Sequence, residues 1–139
     1  MLSGKNQVAA ITYLFSLLIS SETQLAKFSN TITEFKNLVT ENYNENFTID
    51  QYAAKLNISA EVLNQLCKNK TELTAKQLQL DIKITEAKRL LLYASLNTSE
   101  IAFKLGFDDN SYFSRIFKKK TGFTPVTFRE KYLKSRRKS

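Results

Sequence analysis

Two sets of mostly polar side chains recur at i, i+1, i+4 and i+5, the spacing that places residues on one face of a helix. The first set is Ala60, Glu61, Asn64, Gln65 and Lys68. The second set is Asn110, Ser111, Ser114, Arg115 and Lys118. Amide, carboxylate and guanidinium groups hydrogen-bond to base edges in the major groove of DNA. Each set therefore predicts an outward strip that can read a duplex sequence.

Individual side chains suggest individual bases. Arg115 suits the O6 and N7 acceptors of guanine, and Glu61 can accept from the N4 amine of cytosine. Amides suit adenine, and the amide candidates are Asn64, Gln65 and Asn110. The predicted base-contacting set is completed by Ala60, Ser111 and Ser114.

Ordinary surface roles for these residues stay open. Glu61 stands where an acid favours the N-terminal end of a helix through its dipole. Arg115 has Asp108 and Asp109 close by in sequence as ion-pair partners. The run Lys118 to Lys120 is compatible with a solvated helix face as well as with a DNA contact.

The positive charge is concentrated near one end of the chain. The formal net charge is +8, and residues 100–139 hold eleven Lys and Arg against four Asp and Glu. A basic tail over 131–138 explains only part of this surplus, so the rest indicates a surface that faces a polyanion. The predicted phosphate-contacting residues are Lys68, Lys104, Lys118, Lys119, Lys120 and Arg129.

Several kinds of chemistry are disfavoured by the residue types that the chain lacks. It has no histidine and one cysteine, so His-dependent nucleophile pairs, an internal disulfide and a cysteine-rich zinc site are excluded. We expect no enzyme activity, no cofactor and no metal. Cys67 occupies an apolar repeat position and is expected in the core of a cytoplasmic protein.

An internal duplication supplies the elements that would hold the two strips. Residues 51–58 align with 100–107, and 62–68 align with 112–118, at offsets of 49 and then 50. Each copy predicts a short helix, a turn at Asn57 or Gly106, and a second helix. Thr98 or Ser99 is the expected cap of the short helix in the second copy, and Asp109 that of the next helix.

A long helix is predicted between the copies. Residues 75–93 form its span, and its apolar stripe is Leu78, Ile82, Ala87, Leu90 and Leu91. Its length would be about 28 Å, against roughly 34 Å for one turn of B-DNA. Thr124 and Pro125 predict the start of a last helix with Phe128 and Tyr132 inward. With three Gly and one Pro, the chain is predicted to be all-α.

The segment ahead of the duplication predicts two further helices. Residues 31–44 have apolar side chains at helical spacing, with Thr31 or Thr33 available as a cap. The apolar run Val8 to Ile19 is too short to cross a bilayer, so no membrane is expected. It loosely imitates a secretory signal, but a helix that packs on a partner or a core is the favoured interpretation.

The second half resembles a known family of bacterial regulators. The matching segments are EAKRLL at 86–91, IA at 101–102, GF at 106–107, SYFSRIFKK at 111–119 and TGFTPVTFR at 121–129. They look like the signature of the AraC/XylS family, and the resemblance covers about residues 47–129. It implies an all-α, homeodomain-like domain with two helix-turn-helix units joined by a long helix. It also implies sequence-specific contact with two successive major grooves and activation or repression of nearby promoters, with RNA polymerase as a partner.

The first copy departs from the family pattern at three positions. Glu72 stands where glycine is usual, which predicts a reshaped helix end. Gln65 stands where arginine is common, and Cys67 where an aromatic residue is common. These departures leave the expected fold unchanged but make the target sequence of the first unit less certain than that of the second.

The resemblance also predicts a domain organisation. Residues 1–30 are expected to be a connecting or dimerising helix, the remnant of a linker to a sensor domain that would bind any effector. Residues 31–139 are expected to be the DNA-binding domain, with units at about 48–72 and 98–121. The alternative is a helical protein-interaction or dimerisation module without sequence-specific DNA binding.

Overall fold

The computed structural model describes Leu14 and residues 30–138, with side chains placed up to residue 135. The chain divides into two compact segments, Met1–Glu34 and Phe35–Ser139, and both helix-turn-helix units belong to the second segment. The predicted helix over Val8 to Ile19 lies, apart from Leu14, outside the described residues. So does nearly all of the predicted connecting segment 1–30.

Every regular element in the described part is a helix, as predicted. Helix α1 is helical over residues 30–41. The others are α2 (Ile49–Lys55), α3 (Ala60–Thr71), α4 (Ala75–Tyr93), α5 (Thr98–Lys104), α6 (Asn110–Thr121) and α7 (Pro125–Lys138). None of the helices within these residues has the length and apolar character needed to cross a bilayer.

Helix α1 ends three residues earlier than the sequence predicts. The side-chain amide of Asn42 donates to the carbonyl of Leu38 at 2.8 Å, and the chain then turns. Asn46 takes a positive φ of 54° in the loop that leads to α2. Tyr43, which is within the predicted helix 31–44, therefore lies in the loop, where its backbone carbonyl becomes available to another part of the fold.

The internal repeat is reproduced in three dimensions. Helices α2 and α5 each have seven residues, and α3 and α6 each have twelve. The pattern of buried and exposed residues over 61–79 is the same as the pattern over 111–129. Thr48 and Asn97 begin α2 and α5 with matching capping boxes. The two units are thus copies of one design.

One predicted cap in the second unit is wrong. Asn97, and not Thr98 or Ser99, caps α5, because its Oδ1 accepts from the backbone N–H of Glu100 at 2.8 Å. Glu100 returns the contact to the backbone N–H of Asn97 at 3.2 Å. The Asp109 cap of α6 and the Thr124 start of α7 are confirmed.

The turn residues of the two copies have the same left-handed backbone. Asn57 and Gly106 have φ values of 59° and 81°. Glu72 and Gly122, which end α3 and α6, have φ values of 65° and 85°. Glu72 therefore keeps the helix end where a reshaped end was expected. A side chain in this region costs about 1–2 kcal/mol.

Helix α4 contributes to the cores of both units. It packs on α3 in the first unit and on α5 and α7 in the second. The second core is rich in phenylalanine, with the Phe117 ring 5.8 Å from Phe113 and 5.3 Å from Phe128. The predicted α4 stripe is largely confirmed, except that Ile82 is half-buried while its neighbours Lys83 and Ile84 are buried.

A second connection joins the two helix-turn-helix units. The loop between α1 and α2 lies against the turn between α5 and α6, where Gly106 faces the carbonyl of Tyr43 and the side chain of Asn46. The Asn46 amide also donates to the carboxylate of Asp108 at 3.5 Å. The relative position of the units therefore depends on this loop as well as on α4.

Candidate nucleic-acid interface

The inner faces of α3 and α6 fix the direction of the predicted strips. Leu63 and Cys67 are fully buried on α3, as Phe113 and Phe117 are on α6. The strip residues that lie exposed are Glu61, Gln65, Lys68, Asn110, Ser111, Arg115 and Lys118. The half-buried strip residues are Ala60, Asn64 and Ser114. Each strip is thus brought together on one outward face, while contact of its members with DNA stays a prediction.

The Asn64 side chain has a partner inside the protein. Its Oδ1 accepts from the backbone N–H of Ala75, the first residue of α4, at 2.9 Å. This N–H is one of the donors that a helix start leaves without a helical partner. The aligned pair in the second unit is Ser114 and Pro125, and proline has no N–H to satisfy. Asn64 therefore fixes the recognition helix α3 to the central helix.

Replacing Asn64 with alanine should lower the free energy of unfolding by about 2 kcal/mol, because a half-buried N–H loses its acceptor. Asn64→Ser should lose a similar amount. Adding Ala75→Pro to Asn64→Ser should recover most of it, since the pair then matches the second unit and the unsatisfied donor is gone. Urea unfolding of the three variants measures this. Equal stability of Asn64→Ser with and without Ala75→Pro would show that the hydrogen bond contributes little.

Arg115 is exposed on α6 and does not use the acids beside it. Within residues 30–135, its guanidinium has no hydrogen bond or ion pair. Asp109 instead caps α6, with its carboxylate accepting from the N–H of Ser111 at 2.6 Å. The ion-pair alternative for Arg115 is therefore not formed, and the side chain is available for a ligand.

The predicted phosphate-contacting residues fall into two groups. Lys68, Lys104, Lys118 and Lys119 are exposed and form no ion pair with another described residue. Lys120 pairs with Asp81 of α4 at 2.5 Å. Arg129 donates from Nε to the carbonyl of Leu91 and from a terminal nitrogen to that of Leu96. These last two residues hold helices together, so any DNA contact of theirs would be additional.

Lys83 is the residue that the sequence interpretation missed. It is only 6% exposed near the middle of α4 and lines a cleft beside Arg115. The predicted apolar stripe of α4 included Ile82 and left out position 83. The spacing of Ile84, Ala87 and Leu91 was the available signal, because it turns the buried face of α4 towards position 83.

The described residues contain no cluster of His, Cys, Asp and Glu that could hold a metal ion. Burial raises the pKa of the Cys67 thiol, and the charge of Lys36 partly opposes this. The fully buried Cys67 is therefore kept protonated in the core, where the sequence predicted it.

Comparison with known proteins identifies the family. The profile of the helix-turn-helix domain family matches residues 52–131, more than half of the chain. The HTH-type transcriptional activator RhaR of Cronobacter sakazakii is 35% identical over 86 residues, which take in 62% of this chain and 30% of RhaR. The chain thus spans less than a third of the length of that relative.

Two solved structures share the fold. An AraC-type transcriptional regulator from Chromobacterium violaceum superposes with a TM-score of 0.70 over 76% of this chain and 94% of its own, at 24% identity. The DNA-binding domain of AdpA, in complex with a target DNA, also gives 0.70, over 81% and 97%, at 20% identity. The family match, the RhaR relative and these folds agree with the motifs over 86–129. The chain belongs to the AraC/XylS family of helix-turn-helix transcription regulators and contains its sequence-specific DNA-binding domain.

Proposed function

We propose that the domain binds double-stranded DNA by placing α3 and α6 in two successive major grooves, and that this binding regulates transcription of nearby genes. The observation that carries the proposal is the equivalence of the two recognition helices. They have the same length, the same inner face and the same left-handed end, and a nineteen-residue helix joins their units. Two equivalent recognition helices whose units are joined by a rigid helix suit a DNA site with two half-elements.

The length of α4 supports this geometry. Nineteen residues span about 28 Å, close to the roughly 34 Å between successive major-groove segments on one side of a duplex. Since α4 is packed into both cores, its ends cannot swing independently. The loop contact between Asn46 and Asp108 restricts the units further.

Within the proposal, the strips divide the work of recognition. The residues assigned to base edges are Ala60, Glu61, Gln65, Asn110, Ser111, Ser114 and Arg115. Asn64 is assigned mainly to positioning α3 through its oxygen, with its amide NH₂ group left to donate to a base. Lys68, Lys104, Lys118 and Lys119 are assigned to phosphates, while Lys120 and Arg129 act first in the fold. The last turn of α6 carries three lysines and that of α3 two, so the second unit should contribute more electrostatic attraction.

Arg115→Ala should weaken binding to the preferred site about 5- to 150-fold, because a bidentate contact with guanine discriminates by about 1–3 kcal/mol. Selection of bound duplexes from a random pool first defines that site. Repeating the selection with the variant should show relaxed preference at one base pair. Lys118→Ala is the matched control, because Lys118 lies about one helical turn further along the same strip. It should weaken all sequences alike and reduce the slope of log affinity against log salt by about 0.9.

Two outcomes would contradict different parts of this assignment. An Arg115→Ala variant that binds the selected site as tightly as the parent removes the base contact from that residue. A parent protein that binds no duplex preferentially, at any salt concentration, contradicts the proposed function itself and leaves the protein-interaction alternative.

The cellular setting of the protein, its effector and its protein partners are also proposed. RhaR is named a transcriptional activator and is longer than this chain, which supports a bacterial, cytoplasmic regulator whose effector, if it has one, binds to a domain other than this one. Residues 1–30 are assigned to connection or dimerisation. Because RhaR is named a transcriptional activator, RNA polymerase is proposed as a protein partner.

A further inference from the structure

A cleft of about 600 Å³ lies between the two helix-turn-helix units. The residues at the start of α2 form one wall, one face of α4 forms the floor, and the α5–α6 turn with the start of α6 forms the opposite wall. Its charged lining residues are Lys76, Lys83, Asp108, Asp109 and Arg115. None of the sequence motifs pointed to this cleft.

Lys83 is the unusual group in the cleft. Only 6% of its surface is exposed, and its Nζ lies 5.3 Å from the centre of the Phe107 ring. Among residues 30–135 it has neither a hydrogen bond nor an ion pair. No fully enclosed side-chain nitrogen or oxygen in the described part lacks a partner, so the Nζ must reach the cleft surface.

The charge of Lys83 is destabilised in the free protein. Burial lowers the pKa of its amine, and the Asp108 carboxylate only partly opposes this. A poorly solvated ammonium group gains more from an added anion than an exposed lysine does. The cleft holds three basic residues against two acids, and one of those acids, Asp109, is engaged in capping α6. Its lining therefore favours an anion.

The position of the cleft identifies which anion. Arg115 lies on its wall and also on the outward strip of α6. A duplex seated on that strip would cover the mouth of the cleft. The cleft lies between the start of α2 and the start of α6, and no residue of α3 lines it. The sugar–phosphate backbone that borders the α6 groove on the side of the first unit would therefore cross the cleft. The phosphates of this crossing are the anions that would come nearest to Lys83.

We propose that the cleft binds a backbone phosphate of the DNA between the two half-elements, with Lys83 as its main cation and Lys76 as a second. This inference rests on the proposed binding of duplex DNA. It adds a non-specific anchor between the two half-elements, beside the wall of the cleft that Arg115 helps to form. The anchor would also oppose separation of the two units, because Lys83 belongs to the helix that joins them.

The test is the salt dependence of DNA binding by Lys83→Met, which keeps the length of the side chain and removes its charge. Loss of one phosphate contact should reduce the slope of log affinity against log salt by about 0.9, which is about fivefold in affinity at 0.15 M salt. The loss should be equal for the selected site and for an unrelated duplex, since a phosphate carries no sequence information. Lys88→Met is the control, because Lys88 is exposed on the same helix and does not line the cleft.

Thermal unfolding separates this effect from damage to the fold. Lys83→Met should be at least as stable as the parent, because methionine keeps the apolar stem of the side chain and removes a desolvated charge. A second variant, Asp108→Asn, should raise DNA affinity by about fivefold, since it removes a negative charge from the same cleft. If Lys83→Met does not fold, the DNA affinity of Asp108→Asn tests the phosphate site in its place.

An unchanged slope and affinity in Lys83→Met, with Asp108→Asn equal to the parent, would overturn the phosphate site. The parent protein would still bind its selected duplex in that case, so the proposed function would stand. A parent that fails to bind duplex DNA would instead remove the basis of both.

Discussion

Gly106→Ala should lower the free energy of unfolding by about 3 kcal/mol, whereas Gly122→Ala should lower it by about 1 kcal/mol. Both glycines have the same left-handed backbone, with φ values of 81° and 85°. An alanine Cβ at position 106 would lie 2.2 Å from the carbonyl oxygen of Tyr43 and 2.7 Å from Oδ1 of Asn46. At position 122 it would meet nothing within 4 Å. The difference isolates the close approach from the conformational cost.

Urea unfolding of the two variants measures this difference directly. Gly106→Ala should also weaken binding to a two-element site more than binding to an isolated half-element, because the displaced loop is the second connection between the units. The expectation fails if both alanine variants lose the same stability. That result would mean that the α1–α2 loop moves away from the turn at little cost.

Inserting five base pairs between the two half-elements of the selected site should weaken binding by about 100-fold or more. Half a turn of added duplex places the second element on the opposite side of the double helix, so that one recognition helix loses all its base contacts. Several mismatched base pairs at about 1–3 kcal/mol each account for a loss of this size. Titration of labelled duplexes with the parent protein measures it.

A full-turn insertion is the informative control. It restores the second element to the same side, but it places the elements roughly 68 Å apart, twice the 34 Å of one turn. A central helix of about 28 Å cannot span that distance, so affinity should stay as low as with the half-turn insertion. Recovery at the full turn would show that the units separate and that α4 is not a rigid spacer.

Local sequence signals predicted most of the helical architecture. The bounds of α4 and the starts of α6 and α7 match their predicted positions because each depends on caps and turn residues close by in sequence. The misplaced cap of α5 has the same local origin, since Asn97, Thr98 and Ser99 are all capping residue types. The early end of α1 follows from an asparagine that bonds back to Leu38.

The sequence was sufficient to predict which helix face carries the candidate site. It was not sufficient to predict the hydrogen-bond partners of individual side chains. The spacing of Leu63 and Cys67 directs the α3 strip outward wherever the helix packs. Asn64 shares that spacing, yet its oxygen bonds to Ala75, eleven residues away. Arg129 similarly bonds to carbonyls more than thirty residues away. Such partners depend on how helices dock.

Residue patterns alone predicted a duplicated helix-turn-helix, most of its helix boundaries and a basic second half, because periodicity, capping and charge are properties of neighbouring residues. The three-dimensional fold was needed to show that the Tyr43 carbonyl lies against Gly106 and that Lys83 is buried in a cleft between the units. Both features arise where segments distant in the chain meet. Hydrophobic burial drives these segments together, but it is non-directional and does not specify which polar groups come into contact. The contacts of those groups therefore depend on the geometry with which the helices pack.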